Sequence, residues 1–215
     1  MSETENELRQ QLVDYARRFA VEKLTPGKSG NISVRFGNNC LITPSAIAYE
    51  NLSIDDIVLI DFSGQLIRGN HQPSSEWHFH CGIYKSRTDV DAVVHTHSTY
   101  CTALACAHEK IPAFHYMVAI AGGNDIPLVP YKLFGTEELS VVILEGLNKR
   151  NACLLANHGL VTVGNNLKST FDLAVEVEQL AEQYCTVKKI GKAQLLTDSE
   201  MDLVIEKFKH YGKRL

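Results

Sequence analysis

Nowhere does this sequence stay apolar for the roughly 20 residues that a membrane-spanning helix needs. Met1-Ser2-Glu3-Thr4-Glu5 has none of the basic and apolar character of a secretory leader. Surplus positive charge is missing too: 21 Lys and Arg stand against 25 Asp and Glu, a formal net charge of −4. That balance argues against nucleic acid or a membrane surface as partner. It also requires any anionic substrate to be held by local groups rather than by a global field. Six cysteines are present without a C-x-x-C pair, and most sit in apolar stretches where a reduced thiol behaves as a small hydrophobe. A disulfide framework is therefore not expected, and the chain reads as a reduced, cytoplasmic protein. Repeats, low-complexity tracts and linker-like stretches are lacking as well, so the 215 residues are expected to form one domain.

What is there is a regular interleaving of helical and strand patterns. Leu8, Leu12, Tyr15, Ala16, Phe19 and Ala20 recur at three- and four-residue steps, which predicts an opening amphipathic helix. Asn31-Ile32-Ser33-Val34-Arg35-Phe36 alternates polar with apolar, and Gly37-Asn38-Asn39 turns it into a second strand over 40–42. Further strands are expected over 57–61, 65–68, 90–95, 116–120, 127–129, 152–156 and 160–163. Helices are expected over 74–86, 99–107, 136–147, a long segment carrying Leu173, Ala174, Val177, Leu180, Ala181 and Tyr184, and a last one from Thr197. Several strand pairs are joined by tight turns, so the prediction is an α/β layered domain whose sheet is antiparallel or mixed rather than doubly wound and parallel.

Nine histidines are available, and their settings separate them. His95-Thr96-His97 ends the apolar run Val90-Asp91-Ala92-Val93-Val94, and on a strand residues two apart point to one face. His158 sits in a second strand-like setting, Leu154-Leu155-Ala156-Asn157-His158-Gly159, and Glu76 opens a helix after Ser74 and Ser75. Three neutral imidazoles with one carboxylate form a ligand set that leaves a divalent metal room for substrate, which is the pattern of catalytic sites. Zinc suits the donors best, and manganese or cobalt is compatible with them. His78 and His80 also form H-x-H, but on a helix, where residues two apart diverge; His80 reads as a packed residue or one that supports the ligands from behind, and His78 as a surface one. His71, His108 and His210 read as solvent-facing.

Three small polar segments offer donors for an anion: Gly27-Lys28-Ser29-Gly30-Asn31, Thr43-Pro44-Ser45-Ala46 and Ser74-Ser75. Hydroxyls and backbone N–H groups beside a helix start are what a phosphate monoester needs, although each segment alone is better explained as a turn or cap.

Together these residues resemble the class II aldolase/adducin family. The resemblance is carried by Gly30-Asn31-Ile32-Ser33-Val34-Arg35, Leu41-Ile42-Thr43-Pro44-Ser45, Pro73-Ser74-Ser75-Glu76-Trp77, Val93-Val94-His95-Thr96-His97, Ile111-Pro112-Ala113-Phe114-His115-Tyr116-Met117 and Asn157-His158-Gly159-Leu160, in order and over nearly the whole chain. It extends through Tyr131-Lys132-Leu133-Phe134-Gly135-Thr136 to the terminal Glu206-Lys207-Phe208-Lys209-His210-Tyr211-Gly212. It implies one three-layer α/β domain with a central, mainly antiparallel sheet flanked by helices, assembled as a cyclic homotetramer with active sites between subunits. His95, His97 and His158 match the family's metal-binding histidines, and Glu76 its acidic residue, both ligand and base. Gly30, Asn31, Ser45, Ala46, Ser74 and Ser75 match phosphate-binding positions. Tyr116 matches a tyrosine given by the adjacent subunit to the aldehyde end, and Tyr211 one in the tail. Two departures stand out: Lys28 occupies a position where a small hydroxyl residue is usual, which adds charge to the phosphate site or points to solvent, and Ala46 replaces a common glycine. If that turn needs φ > 0, Ala46 is strained.

The implied activity is metal-dependent cleavage of a ketose 1-phosphate to dihydroxyacetone phosphate and a short aldehyde, with L-fuculose 1-phosphate giving L-lactaldehyde as first candidate. A salvage aldolase acting on 5-deoxyribulose 1-phosphate or its methylthio analogue is the near alternative, and a pentose-phosphate 4-epimerase the more distant one. An adducin-like scaffold without catalysis is the non-enzyme reading, and the retained histidines and Glu76 argue against it. In the aldolase reading Glu76 exchanges a proton with the phosphate-bearing half and requires a pKa moved toward neutrality. Tyr116, supported by Tyr211, handles the proton on the aldehyde oxygen; without the resemblance Tyr116 reads equally as a packed core residue.

Overall fold

The computed structural model describes residues 4–25 and 27–210, which contain six α-helices and eight strands. α1 (Glu5–Val21) starts at a reciprocal capping box, in which Thr4 accepts from the Glu7 N–H and the Glu7 carboxylate accepts from the Thr4 N–H. It buries Leu12, Val13, Ala16 and Phe19. β1 (Asn31–Phe36) and β2 (Asn39–Ile42) form a hairpin turned at Gly37, and β3 (Val58–Asp61) and β4 (Leu66–Arg68) extend the sheet to its edge. α2 (Trp77–Ser86) leads to β5 (Ala92–Thr96) and α3 (Thr99–Cys106); β6 (Leu128–Val129) and α4 (Glu137–Gly146) precede the hairpin of β7 (Ala152–Leu155) and β8 (Gly159–Gly164). The 24-residue α5 (Leu167–Ile190), N-capped by Asn166, and α6 (Asp198–His210) close the chain.

The sheet order is β4-β3-β2-β1-β5-β8-β7-β6, antiparallel throughout except for the parallel pair β6 and β7. This is the mixed, mainly antiparallel sheet that the tight turns predict, placed between two helical layers in a single domain. Strand alternation sorts the core. Ile32, Val34, Leu41, Leu59, Val94, Leu154 and Leu160 face α1, α3, α5 and α6, while Cys40, Ile42, Val58, Ile60, Val93, Cys153 and Val161 face α2 and α4.

One element departs from expectation. The apolar run 116–120 forms a 3-10 helix, Tyr116–Ala121, rather than a strand. His115 accepts from the Met117 N–H at its start and Gly122, at φ 88°, ends it, so local caps override the β-like composition. At the start of α2 the serines lie outside the helix: Glu76 itself occupies the N-cap position, and the Ser74 hydroxyl accepts from the Glu76 N–H. All six cysteines are free thiols, four of them buried. Among the described residues no helix is long and apolar enough to cross a membrane.

Candidate metal centre and phosphate pocket

The face of the sheet packed on α2 is apolar except along one stripe. Asn31 of β1 pairs across to His95 of β5, and Ser33 lies one alternation further along β1 on the same face. All three side chains are buried, so each must find a partner or weaken the core.

His95 donates from Nδ1 to the Leu160 carbonyl at 2.9 Å, which leaves the Nε2 lone pair facing the site. That atom lies 3.0 Å from His97 Nε2 and 3.2 Å from Glu76 Oε2, and His158 Nε2 lies 3.4 Å from Glu76 Oε1. His97 follows the last residue of β5, and His158 stands in the turn between β7 and β8, so a strand end and a hairpin converge on one point. The three imidazoles form a cluster whose ligand atoms lie within 4.8 Å of one another. Burial drives the His97 pKa down to about 3 and that of His158 to about 4, with His95 adding to both, so these rings are neutral, as a metal ligand must be.

The donor set fits a divalent cation. An imidazole whose second nitrogen is tied to a backbone carbonyl is the usual orientation of a metal-binding histidine. The buried Glu76 Oε1 has no hydrogen-bond partner, and His95 Nε2 and His97 Nε2, 3.0 Å apart, are close enough to be ligands of one cation. Burial pushes the Glu76 carboxyl up, but His95, His158 and the Asn31 amide pull harder and hold it well below the usual carboxylate range. This direction is opposite to the movement toward neutrality that a proton-exchanging Glu76 requires, because the carboxylate sits among imidazoles and an amide donor rather than in an apolar pocket.

Two glycines are required by close approach. A Cβ on Gly30 would lie 2.7 Å from the His95 carbonyl oxygen, and one on Gly159 would lie 2.2 Å from the Thr96 carbonyl and 3.0 Å from the His97 ring. Both sit where backbone crowds the imidazoles.

Beside the cluster opens a cavity of about 410 Å³ that Lys28, Gly30, Asn31, Ser45, Ala46, Ser74, Ser75, Glu76, His97 and His158 all line. The three polar segments therefore meet, although they are scattered in sequence. The loops around Ser45 and Ser74 are stitched together: Ser45 donates its N–H to the Gln72 carbonyl at 3.0 Å and its hydroxyl to the Pro73 carbonyl at 2.8 Å, and the Ser74 N–H donates to the Thr43 carbonyl at 3.0 Å. Ser45 must turn its hydroxyl from Pro73 to meet a ligand. Ala46 has φ 67°, so the alanine does stand in a left-handed turn, and Lys28 donates from Nζ to its carbonyl at 3.0 Å.

Not every expected residue arrives. Tyr116 is half exposed and lines a separate apolar groove with Met117, Ile120 and Phe208, away from the histidines. Tyr211 lies outside the described residues. His80 is fully buried, as its packed reading requires, whereas His78 is half-buried with its ring on Trp77. His71 is half-buried against Asp56 at 2.8 Å, and His108 is exposed and bonded to Asn157 at 2.7 Å. Conversely, Tyr131, Lys132, Phe134 and Asn157 line the cavity without having been assigned a role. Gly135, at φ 74°, ends the 131–134 segment so close to Ser75 that a Cβ there would lie 2.9 Å from the Ser75 carbonyl oxygen.

Comparison with known proteins agrees with this arrangement. Residues 10–185 match the family described as Class II Aldolase and Adducin N-terminal domain. The chain is 51% identical over 205 residues to a 5-methylthioribulose-1-phosphate/5-deoxyribulose-1-phosphate aldolase of Rhodospirillum rubrum, covering 95% of this chain and 92% of that one. It is 46% identical over 211 residues to the L-fuculose phosphate aldolase of Escherichia coli K12, covering 98% of each. A solved L-fuculose 1-phosphate aldolase superposes with a TM-score of 0.92 at 40% identity, over 97% of this chain and 98% of that chain.

Proposed function

Given that the chain belongs to the class II aldolase/adducin family, we propose that it is a metal-dependent aldehyde-lyase. It cleaves a ketose 1-phosphate reversibly to dihydroxyacetone phosphate and a short aldehyde. The observation that carries this reading is the convergence of His95, His97, His158 and Glu76 at the wall of a cavity whose other lining is serine, glycine, asparagine and lysine. A scaffold has no use for such a buried, ligand-ready cluster, which argues against the non-catalytic alternative.

His95, His97 and His158, with Glu76 as fourth donor, would hold one divalent cation, zinc by the chemistry of the donors and manganese or cobalt as substitutes. A cation there supplies electron withdrawal at the substrate carbonyl, so that charge released by carbon–carbon cleavage is tolerated without a covalent Schiff base. The chain's own residues do the rest. Asn31, Ser45, Ser74, Ser75 and the backbone at Gly30 and Ala46 grip the phosphate, with Lys28 adding a positive charge, and so fix the reacting carbons in register. Glu76, anionic at rest, takes a proton from the carbon beside the carbonyl in the condensation direction and returns it there in cleavage. Tyr116 of a neighbouring subunit, with Tyr211, protonates or deprotonates the aldehyde oxygen; its exposure in the isolated chain supports this assignment within a cyclic homotetramer. Free, mainly buried thiols support a cytoplasmic setting.

L-Fuculose 1-phosphate is the first candidate substrate. The relative at 51% identity favours a second reading, 5-deoxyribulose 1-phosphate or its methylthio analogue. All three are 1-phosphorylated ketoses ending in a methyl or methylthio group, so a kcat/KM panel of them with the metal-loaded enzyme decides among substrates. Trapping dihydroxyacetone phosphate with NADH and a coupling dehydrogenase tests the reaction itself. Chelation should abolish cleavage and a readded divalent cation restore it. A product pool holding only an isomeric ketose phosphate would show a 4-epimerase instead, and borohydride inactivation in the presence of substrate would show a lysine Schiff base.

A further inference from the structure

Behind Glu76 runs a line of buried polar side chains, and beyond Asn31 the proposed chemistry uses none of them. Asn31 Nδ2 lies 2.9 Å from Glu76 Oε2, and Asn31 Oδ1 lies 2.6 Å from His80 Nε2. His80 Nδ1 lies 2.7 Å from Ser33 Oγ, which in turn lies 2.7 Å from Tyr84 Oη. His80 and Ser33 are fully buried and Tyr84 nearly so. They come from β1 and from successive turns of α2, so sheet and helix are joined here by polar contacts inside an otherwise apolar layer.

Donor and acceptor chemistry permits only one direction along this line. A carboxylate oxygen accepts and never donates, so the Asn31 amide must present its NH2 to Glu76 and its oxygen to His80. An amide oxygen also only accepts, so His80 carries its proton on Nε2. Its Nδ1 is then an acceptor, the Ser33 hydroxyl donates to it, and the Tyr84 hydroxyl donates to Ser33. Burial holds the His80 imidazole neutral, with a pKa lowered to about 3, and holds the Tyr84 hydroxyl protonated by pushing its pKa well up. Each contact in the line then pairs one donor with one acceptor, and the second N–H of the Asn31 amide is left for a further partner.

We propose that His80, anchored by Ser33 and Tyr84, is a positioning residue that locks the Asn31 amide. One N–H of that amide then holds Glu76, and the other is presented to the phosphate-bearing end of the substrate. The inference rests on the aldolase reading for its catalytic consequence but not for its geometry. The Asn31 side chain both holds the Glu76 carboxylate and lines the cavity, so its orientation couples phosphate binding to the proton-transferring carboxylate. If the amide turned over, its oxygen would face a carboxylate oxygen and both functions would suffer together.

The test uses nitrogen-15 imidazole spectra of the zinc-loaded protein, together with kinetics of His80→Gln and Tyr84→Phe. The His80 ring is expected as the Nε2–H tautomer; an Nδ1–H tautomer overturns the inference whatever the enzyme's substrate proves to be. His80→Gln is expected to lower kcat about tenfold or more and to raise the inhibition constant of inorganic phosphate several-fold. A purely structural role would reduce the active fraction while leaving the phosphate constant and KM unchanged, and that result would sink the proposal. Tyr84→Phe removes one hydroxyl from the far end of the line and decides the matter should His80→Gln fail to fold: a mixed His80 tautomer population with weakened phosphate binding supports it, and an unaltered spectrum and constant refute it. Wild-type protein that cleaves no ketose 1-phosphate would defeat the aldolase reading alone, because the tautomer and the phosphate affinity are read without turnover.

Discussion

Glu76 and Ala46 show how differently single residues can serve one site. Glu76 is buried, has one carboxylate oxygen on Asn31 and the other without a hydrogen bond, and lies within 3.4 Å of two imidazoles. Glu76→Gln keeps the shape and removes the base, so kcat measured in the coupled assay is expected to fall about 10²- to 10⁴-fold with the fold intact. Metal retention by the His triad should separate loss of the base from loss of the cation. Ala46 has φ 67° and is exposed, so its side chain contributes no core packing to offset the left-handed backbone. That conformation costs an L-residue roughly 1–2 kcal/mol, and Ala46→Gly is accordingly expected to raise the urea midpoint by about 1 kcal/mol of stability. A lower midpoint would show that the turn is not strained.

At the scale of elements, the turn between β7 and β8 is the most sensitive piece. It delivers His158, and Gly159 beside it has no room for a methyl group between the Thr96 carbonyl and the His97 ring. Gly159→Ala is expected to destabilise the protein by about 1–3 kcal/mol, as overpacking does, and to reduce bound metal below one ion per chain. Both are measured on one sample by denaturation and metal analysis. Most strands and helices were legible because their apolar residues repeat with the period of the element they form, as in Ile32 and Val34 against Ser33. The His95-Thr96-His97 pattern was legible for the same reason, since a strand puts both rings on one side. The run 116–120 was not, because five apolar residues carry no period and the deciding caps, His115 and Gly122, act through geometry that composition does not reveal. The cavity-lining positions of Tyr131 and Phe134 were equally hidden, since they depend on a tertiary approach of that segment, ended by a left-handed Gly135 against Ser75, which composition does not reveal. Sequence reading grouped Glu76 with the histidines, and the structure brings it within 3.4 Å of two of them, but the balance of burial against His95, His158 and Asn31 that sets its ionisation is a matter of distances that composition does not reveal.

For the whole molecule, the polar stripe through the α2 layer sets how the fold responds to acid. The ordinary histidine value is 6.5, whereas burial, with His95 nearby, lowers that of His80 to about 3. Between those pH values the unfolded chain binds a proton that the folded chain refuses, so stability falls as pH falls through that window. The cation-free protein is therefore expected to lose a few kcal/mol between about pH 6.5 and 3, with His97 and His158 adding to the loss in the same direction. Urea midpoints followed across that range should show a steeper decline in wild type than in His80→Gln; equal slopes would mean that His80 titrates normally in the fold. The same polar joint ties β1 to α2, which explains how an otherwise oily layer keeps its catalytic edge in register.

The lysine clip at the cavity mouth has a consequence for selectivity. The Lys28 ammonium rests on the Ala46 carbonyl, 3.0 Å away, and bridges two rims of the opening. A phosphate dianion offers that ammonium a better partner, whereas a neutral sugar leaves it where it is, so the door answers to charge before it answers to stereochemistry. Lys28→Met should then raise KM several-fold at nearly constant kcat, flatten the salt dependence of KM, and narrow the gap between phosphorylated and unphosphorylated ketoses. An unchanged preference for the phosphorylated sugar would mean that the latch is ornamental and that discrimination resides wholly in the serine and asparagine cradle behind it.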